Sequence, residues 1–448
     1  MEYDVIIIGA GPAGYVAAIR AAQVGMKTAI IEKKYIGGMC LNWGCIPSKS
    51  IIESAKLFNR IKNSAEFGIE GVDPKALTFR WDKVKARSQK ITRKLTAGIG
   101  FLLKKNGVDV IMGEAKITGS GSVVVDNRSI TAKSIIIATG SYPAPLSNKL
   151  SNAPVVHLER IFDLKEIPEN IVVYGKGVMS IEMAQFFQLI GKSVTVVSED
   201  SEFFPGIDEY LQSFITRKLK ADGIPFVVGE PVEKYEDGYL YVKDKKIACD
   251  ALVNSSFRNA IIPESQPALS LNEQGFIAVN DSFETSIQGV YAIGDVNGKS
   301  FLAHIASAQG LWLVNHLKGI QTEFAIHKYP LNFYTVPEIA QIGLTEQQIK
   351  DNGIEYKVSE FPLTANGKAL IEGNTEGFIR MLSDKKYGEV LGVQIVAEHA
   401  TDMIAEASVY LQMEGTVYDV AQTIHAHPSV SEIFMEAGFE AVDKAIHK

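Results

Sequence analysis

Residues 4–32 constrain the fold most. Residues 4–8 read D-V-I-I-I, a run of the kind buried on both faces of a parallel sheet. Gly9-Ala10-Gly11-Pro12-Ala13-Gly14 follows, then a helical pattern from Tyr15 to Val24 and a second strand, Thr28–Ile31, closed by Glu32. G-x-G-x-x-G between strand and helix, with an acid about 20 residues on, marks a dinucleotide-binding βαβ unit. The glycines let the backbone approach a pyrophosphate at the helix N-terminus, and Glu32 can accept from a ribose hydroxyl.

The pattern recurs. Ile171–Tyr174 reads as a strand, Gly175-Lys176-Gly177-Val178-Met179-Ser180 as the turn, Ile181–Ile190 as the helix and Val194–Val197 as the next strand. The echo is imperfect: Ser180 stands at the third glycine, and Ser198 closes the strand, with Glu199 one place later. The fold class is therefore α/β, with two Rossmann-like dinucleotide-binding domains. Helices are expected over 50–66 and 80–106. Strands are expected over Val108–Ile117, Ser122–Val125, Ser134–Ala138 (running into Thr139-Gly140) and Gly289–Asp295, with a helix opening at Leu302-Ala303-His304. From Pro330 the pattern becomes mixed strands and helices, a C-terminal α+β domain in which Gly388 and Gly392 suit a turn between two strands.

Two of the three cysteines, Cys40 and Cys45, lie in the stretch G-G-M-C-L-N-W-G-C-I-P-S-K, Gly37–Lys49. Residues five apart in a regular helix have Cα atoms about 8–9 Å apart, whereas a disulfide needs no more than about 7 Å. If these cysteines pair, the backbone between them is not regular helix, and Gly44 and Pro47 permit the distortion. A helix start lowers a thiol pKa, so the pair reads as a redox dithiol. It begins five residues after Glu32, which places dinucleotide and dithiol in one site. Near the C-terminus stands His425-Ala426-His427-Pro428-Ser429, with Glu432 five residues after His427, an arrangement suited to a held general base.

Composition narrows the remaining choices. The 448 residues suggest about three domains. A net charge of -7 disfavours a nucleic-acid partner, and no apolar stretch reaches the length of a membrane span. Three cysteines make no structural disulfide framework and fit a reducing, cytoplasmic compartment, as does the absence of a secretory pattern at the N-terminus.

Together these motifs resemble the flavoprotein disulfide reductases, the class I pyridine nucleotide-disulfide oxidoreductases, over the whole chain. Within that family the dihydrolipoamide dehydrogenase branch is the most similar. The resemblance implies an FAD-binding domain carrying the dithiol over 1–145, an NAD-binding domain over 146–272, a second FAD or central part over 273–329, and a dimerisation domain over 330–448. One FAD per subunit would contact Gly9, Gly11, Pro12, Ala13, Gly14, Glu32, Lys33, Gly38, Met39, Cys40, Cys45, Lys49, Ala115, Ala138, Thr139, Gly140, Gly294, Asp295, Leu302, Ala303 and His304. NAD would lie at Gly175, Gly177, Val178, Met179, Glu182, Ser198 and Val232. Cys45 would be the thiolate against the flavin and Cys40 the interchange thiol. Lys49 would pair with Glu182, and His427, oriented by Glu432, would serve the partner subunit as acid–base.

The implied reaction is oxidation of dihydrolipoyl groups through the dithiol and FAD to NAD. The implied partners are a second copy of the chain and the lipoyl-bearing subunits of a 2-oxo acid dehydrogenase or glycine cleavage complex. Departures gather in the second nucleotide domain: Ser180, Ser198 and the Ser256-Phe257-Arg258-Asn259 segment. Met39, beside the flavin, is a further one. The acidic run Ser198–Glu202 disfavours NADP. These departures leave a second expectation, a related flavin reductase with weakened NAD binding and another disulfide or electron acceptor.

Overall fold

In the computed structural model, which describes residues 2–322 and 328–448, the N-terminal apolar run is strand β1 (Tyr3–Ile8). Val5, Ile6 and Ile7 have no exposed surface, because β1 has a parallel neighbour on each side and packed side chains over both faces. Helix α1 (Pro12–Gln23) starts before the expected Tyr15. Pro12 takes the first helical position, where its missing N–H is an orphan in any case. Strand β2 (Thr28–Glu32) follows, then α2 (Gly38–Asn42), a break at Trp43-Gly44, and α3 (Cys45–Lys62) packed on α4 (Trp81–Lys105).

Strands β3 (Asp109–Met112), β4 (Ala115–Gly119), β5 (Ser122–Val125) and β6 (Arg128–Ile137) extend the sheet in the order β3-β2-β1-β6-β5-β4. The first half of β6 is antiparallel to β5 and its second half parallel to β1. The single strand expected over Val108–Ile117 is two. Gly113 breaks it at φ +151°, a conformation closed to other residues here, since an added Cβ would lie 2.5 Å from Val125.

The chain leaves this sheet through β7 (Ser141–Pro143) and enters a second unit with β8 (Val155–His157), β9 (Asn170–Gly175), α5 (Val178–Leu189), β10 (Ser193–Ser198), α6 (Glu209–Ala221) and β11 (Phe226–Val228). An antiparallel meander, β12 (Val232–Glu236), β13 (Tyr239–Val242) and β14 (Lys245–Ala248), precedes β15 (Ala251–Ser255), which completes a parallel sheet ordered β11-β10-β9-β15-β8. The returning strand β16 (Arg258–Ala260) pairs with β7. Ser265 then bridges to Ile117, and Ala260, Leu269 and Phe276 join the core of the first sheet. The segment from Ala260 to the expected boundary at 272/273 thus already contributes to the core of the first sheet. Strand β17 (Val290–Ala292) adds parallel to β6. Helix α7 (Ala303–Leu317) lies so close to α1 that a Cβ on Gly310 would sit 2.8 Å from the Ala13 carbonyl oxygen.

The C-terminal unit contains β18 (Leu331–Phe333), β19 (Glu338–Gly343), α8 (Glu346–Asp351), β20 (Tyr356–Pro362), α9 (Gly367–Glu372), β21 (Phe378–Asp384), β22 (Val390–Ala397), α10 (Ala400–Gln412), α11 (Val417–Gln422) and α12 (Glu432–Val442). Its strands form an antiparallel sheet, β18-β19-β22-β21-β20. The turn into β22 is Lys385–Gly388. Gly392, expected in that turn, lies within β22, where a Cβ would meet the Leu344 carbonyl oxygen at 2.3 Å. One apolar core runs through all three units, joining Ile51 and Ile52 of α3, Ile181 and Phe186 of α5, and Phe333 and Ile339 of the last sheet. The dithiol helix is held by that core.

Candidate active site

Cys40 lies on α2 and Cys45 is the first residue of α3, so the break at Trp43-Gly44 falls between them. The thiols are unbonded to each other covalently and joined by a hydrogen bond. They are electrically unequal. The hydrogen bond from Cys40, and then the Lys49 charge, pull the Cys45 thiol below its usual range against the effect of burial. The same hydrogen bond and burial push Cys40 far up. Cys45 thus sits at the N-terminus of an 18-residue helix as the member of the pair whose anion is favoured.

Lys49, one turn along α3 from Cys45, bonds Glu182 of α5 at 2.6 Å and lies 4.7 Å from the Tyr334 ring centre. Glu182 is fully buried and also accepts from the Tyr334 N–H at 3.0 Å. Burial alone would lower the Lys49 pKa; Glu182 more than offsets this and keeps it raised.

The dithiol opens onto a cavity of about 680 Å³ running between α1, β2 and the Gly294-Asp295 turn. Of the residues expected at a first dinucleotide, Gly9, Gly11, Pro12, Ala13, Glu32, Lys33, Gly38, Met39, Cys40, Cys45, Ala115, Ala138, Thr139, Gly140, Gly294, Asp295 and Ala303 line it. Gly14, Lys49, Leu302 and His304 do not. Gly14 faces inward instead: a Cβ there would lie 1.8 Å from the Gly9 carbonyl oxygen, so it is a packing glycine. His304 bonds the Pro330 carbonyl at 3.1 Å.

The cavity fits a dinucleotide. Helix α1 has no side-chain cap, which leaves its first N–H groups for a pyrophosphate. A Cβ on Gly38 would come within 2.6 Å of Gly11, so the two backbones meet at the floor of the cavity. Glu32 is pinned by the N–H groups of Ala10, Lys34 and Tyr35 at 2.8–3.0 Å. Asp295 is deeply placed, with its pKa raised by burial, and accepts from Ser141.

In the second unit α5 likewise lacks a side-chain cap, and its N-cap Gly177 has φ +84° with open space where a Cβ would stand. Val178 and Met179 are half-buried in the turn that follows. Gly175 packs on Ser255, and the Ser180 hydroxyl, at the third glycine position, bonds the Ser255 hydroxyl at 2.6 Å. Ser198 and Val232 are buried, with the Ser198 hydroxyl bonded to the Asp200 backbone. Glu199 is occupied by the Tyr174 hydroxyl at 2.6 Å and the Val232 N–H at 2.8 Å.

His427 stands on the surface of the C-terminal unit. Its ring is 78% exposed, and Nδ1 meets Glu432 at 2.9 Å. Burial opposes the charge on Glu432, but the Ser429 N–H and His427 hold its pKa below the usual carboxylate range. His425 is the structural member of the pair, 6% exposed and bonded to Glu406 at 2.8 Å. Within one chain His427 does not line the dithiol cavity.

Three residues of this centre escaped the sequence reading. Ser141 follows Ala138-Thr139-Gly140 directly, and its adjacency was the available signal. Arg258 bonds Ser141 twice at 2.7 Å and approaches Asp295 at 4.0 Å; only the replaced segment hinted at it. Tyr334, beneath Lys49, had no local signal at all.

Comparison with known proteins bears on the whole arrangement. Residues 3–310 match the family described as pyridine nucleotide-disulphide oxidoreductase, and residues 329–438 match its dimerisation domain. The dihydrolipoyl dehydrogenase of Bacillus subtilis is 36% identical, covering 100% of this chain and 99% of that protein. The mitochondrial dihydrolipoyl dehydrogenase of Pisum sativum is also 36% identical, covering 100% of this chain and 93% of that protein. The crystal structure of LpdA from Mycobacterium tuberculosis superposes with a TM-score of 0.87 at 23% identity, over 97% of this chain and 99% of that one, a likeness of fold. Both nucleotide folds and the C-terminal sheet fall within these matches, and the chain accordingly belongs to the pyridine nucleotide-disulphide oxidoreductase family, as an enzyme with a homodimerisation domain.

Proposed function

We propose that the chain is a dihydrolipoyl dehydrogenase, oxidising dihydrolipoyl groups to the cyclic disulfide with NAD as final acceptor. The observation that carries the reading is the unequal dithiol, Cys45 shifted toward its thiolate and Cys40 away from it, opening onto the dinucleotide cavity of a chain 36% identical end to end to such enzymes.

In the oxidised enzyme Cys40 and Cys45 would form the disulfide. His427 of the partner subunit takes the proton from one substrate thiol, aided by the Glu432 carboxylate that orients it. The substrate thiolate attacks the Cys40 sulfur; a substrate–Cys40 bond forms and Cys45 leaves as thiolate. Cys45 is the better leaving group because the Lys49 charge and the α3 N-terminus stabilise it. The second substrate sulfur then displaces Cys40, closing the substrate disulfide. Of the two substrate protons, one ends on Cys40 and the other on His427. Gly9, Gly11, Glu32 and Asp295 would hold the family's FAD, and the chemistry it would supply there is two-electron transfer from a dithiol to a nicotinamide nucleotide. Lys49, fixed between Glu182 and Tyr334, supplies a lasting positive charge at that junction.

The acceptor of the second unit would be NAD, and the protein substrates the lipoyl-bearing subunits of a 2-oxo acid dehydrogenase or glycine cleavage complex. Among the described residues no helix is long and apolar enough to cross a membrane. Steady-state assay with dihydrolipoamide and NAD tests the reading, and NADH formation lost in Cys45→Ser is the expected result. Bleaching of bound flavin by dihydrolipoamide without turnover on NAD or NADP would overturn it in favour of another electron acceptor.

A further inference from the structure

The two nucleotide units superimpose in sequence, and they differ at the place where an adenosine ribose is read. Glu32 lies 23 residues after Gly9 and Ser198 lies 23 after Gly175, so Ser198 occupies the ribose-acid position (32 − 9 = 198 − 175). In the first unit Glu32 accepts from the N–H of Ala10, the turn residue after the first glycine, at 2.8 Å. The turn residue in the second unit is Lys176, and its ammonium reaches the same strand end to pair with Asp200. The Glu199 carboxylate bonds the Tyr174 hydroxyl and the Val232 N–H, which draws it toward β9 and β12, and the Ser198 hydroxyl caps the Asp200 backbone just as Glu32 caps Lys34. Lys176 is 26% exposed and Asp200 45% exposed, so the pair stands at the surface of the turn that leads into α5.

We infer that the Lys176–Asp200 ion pair is the specificity determinant for the nicotinamide nucleotide, doing the work that a single strand-end carboxylate does in the first unit. Asp200 accepts from the ribose 2′-hydroxyl of NAD, and Lys176 holds Asp200 there. The pair is neutral as a whole. A 2′-phosphate is excluded by Asp200, and Lys176 would accept it if Asp200 were uncharged. This rests on the reading of the second unit as the nicotinamide-nucleotide site.

The test is calorimetric titration of the FAD-loaded dimer with 5′-AMP and with 2′,5′-ADP, which report ribose recognition without turnover. Wild type should prefer 5′-AMP. Asp200→Asn should weaken 5′-AMP and strengthen 2′,5′-ADP, shifting the affinity ratio by about tenfold or more, the size of one charge-assisted hydrogen bond. Lys176→Met added to Asp200→Asn should abolish the gain, and Glu202→Gln, a neighbouring exposed acid, should leave the ratio unchanged. The kcat/KM ratio for NAD over NADP should follow the binding ratio. An unchanged ratio in Asp200→Asn, a gain that survives Lys176→Met, or an equal shift in Glu202→Gln overturns the inference alone. Failure of wild type to bind either nucleotide overturns both the inference and the nicotinamide reading.

Discussion

Cys45 gathers three influences that favour its anion: the Cys40 thiol, the Lys49 ammonium one turn along, and the unpaired N–H groups at the start of α3. Its pKa is lowered, so the thiolate persists as pH falls below the ordinary thiol range and is lost only further down. Lys49→Met removes one of the three, and the midpoint for Cys45 ionisation in the reduced enzyme should move upward, followed by the pH dependence of its alkylation. In the proposed reaction His427 would make a different contribution, proton transfer, and His427→Ala should lower kcat for dihydrolipoamide about a hundred- to ten-thousand-fold, read from steady-state rates. Flavin content should be untouched, since the ring lies outside the cavity. At this scale the sequence was informative wherever chemistry is local. Two cysteines around Gly44, or two histidines before Pro428, carry their meaning within a few residues. Tyr334 and Arg258 act through contacts 285 and 117 residues away, with Lys49 and Ser141, and nothing in their neighbourhood announces this.

Among the elements, the turn joining β1 to α1 is the least tolerant. A Cβ on Gly14 would stand 1.8 Å from the Gly9 carbonyl oxygen, so Gly14→Ala must push α1 off the sheet and displace the N–H groups that face the cavity. The expected outcome is protein purified without FAD, measured by flavin absorbance per chain, with losses far above the ~0.5 kcal/mol of an ordinary surface change. Strand and helix types followed from periodicity, and β1, β2, β9 and β10 lie where their apolar runs do. Boundaries were missed where the signal is steric. Pro12 begins α1 and Gly113 splits a strand, because a ring and a missing Cβ respectively decide what the backbone does there. Gly392 was misplaced for a related reason: its glycine serves the close passage of Leu344, a partner remote in sequence.

For the whole molecule the matter is how two copies would share the proposed reaction. The dimerisation domain carries His427 on its surface, and Ile424 three residues earlier is 94% exposed, an apolar side chain that a second subunit would cover. Mixing Cys45→Ser subunits with His427→Ala subunits should restore roughly a quarter of wild-type activity. Half of randomly assorted dimers are mixed, and each mixed dimer has one intact site of two. Hybrids no more active than the parent variants would refute the shared site. The two-domain repeat was legible from the echo of residues 4–32, whereas the pairing of β7 with β16 was not, because no short-range pattern marks a strand that meets a partner more than 100 residues later. That pairing, and the addition of β17 to β6, leave the first sheet built from both sides of an inserted unit. During synthesis the second unit can therefore close upon itself while the first still waits for Val290–Ala292 and α7 to leave the ribosome. Cofactor capture is deferred until about two-thirds of the polypeptide exists, and a ribosome-bound chain halted before that point would expose an unfinished flavin cleft to the cell's chaperones.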